Sequence, residues 1–89
     1  MRLTDDAASM IHELVAAQDR PDGAGLRIAQ RDDHDALAMT LADGPEPDDL
    51  VHLEHEAAVF LGPIAGQRLT GATLDARHGE LGAAFFVQP

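Results

Sequence analysis

The hydrophobic period of this chain changes once, and that change decides what it can fold into. Before Asp19, the apolar residues Ala7, Met10, Ile11, Leu14 and Val15 recur at intervals of three and four, which makes one stripe on a helix. After Gly25 the alternation has a period of two, as a half-buried strand requires. Asp19-Arg20-Pro21-Asp22-Gly23-Ala24-Gly25 separates the two regimes, because Pro cannot continue a helical ladder and Gly loosens the backbone. The spacing therefore predicts one helix from Thr4 to Gln18. Thr4 is its N-cap, and Asp5 and Asp6 sit where the helix dipole favours negative charge.

The remainder reads as six short strands. Leu26, Ile28 and Gln30 alternate with Arg27, Ala29 and Arg31, and the alternation resumes at Leu37, Met39 and Leu41. Asp43-Gly44-Pro45-Glu46-Pro47-Asp48-Asp49 is turn chemistry that cannot sit inside a sheet. Leu50–Glu54 and Ala57–Leu61 follow as strands, and Gly62-Pro63 breaks the run before a single helical turn from Ile64 to Leu69. Strands at Ala72–Ala76 and Ala83–Val87 flank a turn at Gly79 to Gly82. The pattern predicts a mostly β fold with one N-terminal α-helix, as a single domain over residues 1–89. A chain of 89 residues has room for one small core.

Composition narrows the chemistry. With no cysteine, disulfides, thiol nucleophiles, zinc–thiolate sites and cysteine-ligated clusters are excluded within this chain. The formal charge is −10 and every base is arginine, a balance that disfavours nucleic acid, whose backbone calls for clustered cations. The first residues carry acids where a signal peptide carries bases, and the apolar stretch Ala57–Gly66 is too short to span a bilayer. A cytoplasmic protein with no membrane contact is expected.

Two polar runs are candidates for chemistry. On a strand, His52, Glu54 and Glu56 share one face and His55 takes the other, so the two imidazoles meet at one metal only if a turn intervenes. The simpler reading is a solvated strand edge whose charges discourage pairing with other chains. Asp32-Asp33-His34-Asp35 has the donors for a hard or borderline divalent ion, and as simply forms a hydrated turn. His12 and His78 read as surface residues. Ser9, the only serine, lies inside the helix without a strand-to-helix turn to expose it, and Gly62–Arg68 lacks the Lys and Ser/Thr of a phosphate loop. No enzyme is expected.

Several of these segments fall in an order that resembles the HesB-like, or A-type (IscA-like), iron–sulfur cluster carrier family over nearly the whole length. The matching pieces are Leu3-Thr4 with Ala7-Ala8 and Ile11, then Gly25-Leu26-Arg27-Ile28, then Asp43 through Val51. Leu69-Thr70-Gly71-Ala72-Thr73-Leu74-Asp75 and the ending Phe85-Phe86-Val87-Gln88-Pro89 complete the series. The resemblance implies a compact β sandwich-like domain with one N-terminal helix. Family members hold iron or a cluster with cysteines in a Gly-Cys-Ser-Gly type loop after the first strand and in a Cys-Gly-Cys tail. Here the first loop is shorter, so the missing cysteine falls between Asp32 and Asp35, and Pro89 lies near where the tail would begin. No catalytic, cofactor-binding or metal residue carries over, and no cofactor is expected. Carboxylate and imidazole hold isolated iron but replace thiolates poorly around a sulfide-bridged cluster.

The expectation is therefore a non-enzymatic HesB-like domain that lacks cysteine ligation and acts by protein binding, in iron–sulfur maturation or iron physiology. Its acidic surface favours a basic partner through electrostatic steering. The resemblance also implies a homodimer, since family members self-associate. The alternative is a labile divalent-metal protein that uses His34 or His52 with nearby carboxylates.

Overall fold

The computed structural model describes residues 1–31, 35–80 and 82–89. Thr4 begins the helix as the sequence predicts: its hydroxyl oxygen accepts the Ala7 amide at 3.1 Å, satisfying one of the free donors of the first turn. Helix α1 spans Asp5–Ala17 and buries Ala7, Ala8, Met10 and Ile11, with Leu14 and Val15 half-buried beside them. The same Thr4 hydroxyl donates to Asp75 Oδ1 at 2.7 Å, which fastens the cap to a strand distant in sequence. Thr4→Ala is expected to cost about 1 kcal/mol for the cap, and Thr4→Ser to recover most of it, as read by urea unfolding.

Among the described residues seven strands accompany the helix: β1 (Arg2–Leu3), β2 (Gly25–Gln30), β3 (Leu37–Ala42), β4 (Leu50–Glu54), β5 (Ala57–Leu61), β6 (Thr73–Gly79) and β7 (Gly82–Gln88). A short helix, α2, covers Pro63–Arg68. One sheet has the order β1-β6-β7 and the other β3-β2-β5-β4. In the second sheet β2 runs parallel to β5, while β2–β3 and β4–β5 are antiparallel. Helix α1 touches β6 of the first sheet and both β5 and β2 of the second. The core where these elements meet includes Met10, Ile11, Ile28, Val59 and Leu74, all fully buried.

Three local expectations need correction. Among the described residues the strands number seven instead of six, because β1 is two residues long and so has no period to detect; it is held by parallel pairing of Leu3 with Leu74. Glu56 does not share the face of His52 and Glu54. It sits with His55 in a two-residue turn, at φ values of 62° and 51°, which joins β4 to β5. Finally, the two strands flanking the predicted turn are longer than expected: β6 runs on to Gly79 and β7 begins at Gly82, and these glycines form their last paired rung. No helix among the described residues is long and apolar enough to cross a membrane.

Candidate functional site

The hairpin turn that displaces Glu56 also assembles a close group of ionisable side chains. His52, inside β4, places Nε2 2.9 Å from Glu54 Oε1. His55, swung round by the turn, brings Nε2 within 3.5 Å of the other oxygen, Glu54 Oε2, and Nδ1 within 3.3 Å of Asp5 Oδ1. Glu54 Oε1 also accepts the Leu3 amide at 3.0 Å and so ties β1 of one sheet to β4 of the other. The bond to His52, followed by that from the Leu3 amide, holds the Glu54 carboxyl below its ordinary range. His12 closes the corner, with Nε2 2.8 Å from the Glu56 carbonyl oxygen.

A second polar assembly lies on the connection between β3 and β4. Arg27, on β2, donates from both Nε and Nη2 to Asp49, at 2.9 and 3.0 Å, and pairs with Glu46 at 2.6 Å. Asp49 Oδ2 accepts the Glu46 amide as well, and the Asp49 amide donates back to the Glu46 carbonyl. The Asp49 side chain is only 1% exposed. The Arg27 guanidinium lowers the Asp49 carboxyl, while the Asp49 hydrogen bonds raise Arg27. Asp75 is lowered too, first by the Thr4 hydroxyl and then by the Ala76 amide.

Among the described residues the carboxyls of Asp49, Glu54 and Asp75 are moved downward, whereas a general acid near neutral pH needs the opposite shift. A cleft of about 370 Å³ brings Ser9 together with Asp6, Glu13, Arg77 and His78. His78 pairs there with Glu13 at 3.5 Å, and no hydrogen bond joins it to Ser9. Among the described residues no three His, Cys, Asp or Glu side chains converge as metal ligands. His52 and His55, which the turn does bring together, meet across the Glu54 carboxylate. Asp32, Asp33 and His34 lie outside the described residues, and Asp35 accepts from the Gln30 side chain. With no thiolate in the chain, the donor set does not fit a sulfide-bridged iron cluster.

What the charge runs concealed is the apolar character of β4. Leu50 is 61% exposed, Val51 49% and Leu53 71%, on a strand at the edge of its sheet. The sequence reading gave weight to His52, Glu54 and the acids at either end. The strand edge read for this segment is the observed one, but the exposure of these three hydrophobic side chains depends on sheet order and has no local signature.

No protein-family model matches the chain, and no curated protein sequence matches it. Solved structures do. The crystal structure of Escherichia coli SufA, described as involved in biosynthesis of iron–sulfur clusters, is 27% identical, with a TM-score of 0.75. That match covers 98% of this chain and 82% of SufA. A crystal structure of IscA with a [2Fe-2S] cluster aligns over 98% of this chain and 82% of its own, at 21% identity and a TM-score of 0.71. A solution structure of a protein from Aquifex aeolicus aligns over 100% of this chain and 90% of its own, at 23% identity and a TM-score of 0.78.

Proposed function

We propose that this chain, which has the HesB/IscA-like fold, is a non-enzymatic domain that has given up thiolate cluster ligation and works by binding a protein. The observation that carries the reading is the absence of cysteine from a chain whose backbone otherwise follows SufA over 98% of its length. Iron–sulfur cluster maturation or iron physiology is the setting that its fold neighbours support. Residues 1–89 act as one unit in a cytoplasmic setting, and the charge of −10 favours a basic partner.

The competing reading, an ion held by His34 or His52 with carboxylates, makes an opposite prediction for stability. An ion that binds only the folded state raises the melting temperature. Anaerobic melting curves with excess ferrous iron and with a chelator are expected to coincide. A rise of several degrees with iron, abolished by chelator, overturns the protein-binding reading in favour of an ion site.

A further inference from the structure

The uncovered side chains of β4 belong to a strand whose outer hydrogen-bonding edge pairs with no other strand among the described residues. The tight turn at His55-Glu56 makes Glu54 and Ala57 a hydrogen-bonded pair, and alternation extends that role to His52 with Val59 and to Leu50 with Leu61. The N–H and C=O groups of Val51 and Leu53 therefore point away from β5. Edge strands are ordinarily blunted by lysine, proline, a bulge or other charged side chains, and the carboxylate on β4, Glu54, is engaged by His52 and the Leu3 amide. β4 contains neither lysine nor proline and pairs with β5 in unbroken register, and it exposes Val51 and Leu53 on one face and Leu50 on the other.

The charge around this edge selects its occupant. Exposed Asp48 stands before β4, and exposed Glu56 stands after it. Arg27, on β2, is already committed to Asp49 and Glu46. A second copy would bring the same acids and a further charge of −10 to the contact. We propose that β4 is a docking edge for an extended segment of a partner protein, with alternating apolar residues and Lys or Arg at its ends, which adds to the four-stranded sheet as a further strand. This assignment rests on the protein-binding reading and gives it a surface.

The test uses a nine-residue peptide that alternates valine with threonine and carries two lysines at each end, beside a version with glutamates at the ends. Added to the full chain at low salt, the lysine peptide is expected to slow amide exchange at Val51 and Leu53 by about tenfold or more. It should bind at least about tenfold more tightly than the glutamate peptide. Leu53→Pro removes an outward amide without touching the ladder to β5, and Leu53→Ser removes only the exposed side chain; each should weaken binding, and Ser keeps the test open if Pro fails to fold. Unchanged exchange at Val51 and Leu53 overturns the proposal, as does equal binding of the two peptides. Concentration-dependent slowing at the same amides without peptide, with a doubled mass, also overturns it and assigns the edge to a second copy. Iron-dependent melting would remove the reading underneath, whereas a failed peptide with iron-independent melting removes only the docking edge.

Discussion

Gly25→Ala is expected to destabilise the fold by about 3 kcal/mol or more, beyond the usual cost of an added methyl, because backbone would have to move to admit it. A Cβ at Gly25 would lie 2.9 Å from both the carbonyl carbon and the Cβ of Ala58, and closer still to the Ala58 carbonyl oxygen. Ala58 sits in β5, whose parallel pairing with β2 joins the halves of the four-stranded sheet. Gly44→Ala is the matching control. Nothing lies within 4 Å of a Cβ there, so its effect should stay within about 0.5 kcal/mol. Urea unfolding of the two variants beside the parent chain measures the contrast, and similar small effects would refute the close approach of β2 to Ala58.

Arg27→Ala is expected to cost about 2–4 kcal/mol, because it leaves the nearly buried Asp49 carboxylate without its bidentate partner. The Arg27→Ala/Asp49→Ala double variant should lose less than the sum of the single losses, since the pair acts as a unit. Acid titration gives the same pair a second signature. Asp49 is held below its ordinary range in the fold, so its contribution is complete above that range and is lost as pH falls through the folded value. Stability of the parent chain should therefore drop on acidification, and Arg27→Ala should show a shallower fall. Glu54 and Asp75, shifted in the same direction, continue to supply the remainder. An unchanged acid limb in Arg27→Ala would show that the pair contributes nothing to it.

Much of this fold was legible because its elements carry local signals. Thr4, the stripe from Ala7 to Val15 and the break at Pro21 bound α1 to within a residue of the observed span. Leu50–Glu54 and Ala57–Leu61, read from the sequence as strands, have those same ends in the structure. The segments behind the family resemblance now have physical roles. Gly25 admits Ala58, Arg27 grips Asp49 across the acidic turn, and Thr4 bonds Asp75. These contacts hold the scaffold together.

The illegible parts depend on partners remote in sequence. β1 exists through its pairing with β6, and Glu54 joins the two sheets through the Leu3 amide. His55 reaches Glu54 only because two residues in succession adopt positive φ. The exposure of Val51 and Leu53 likewise follows from the place of β4 at the sheet edge, where alternation alone would have buried one side.

The most direct test of the central claim is anaerobic incubation with ferrous iron and sulfide, followed by desalting and assay of iron and acid-labile sulfide per chain. A cysteine-containing member of the family, treated in parallel, provides the loaded control. The account predicts near-zero iron and sulfide on this chain while the control loads. Iron with stoichiometric sulfide on this chain would contradict it, because a cluster would then be held without a single thiolate.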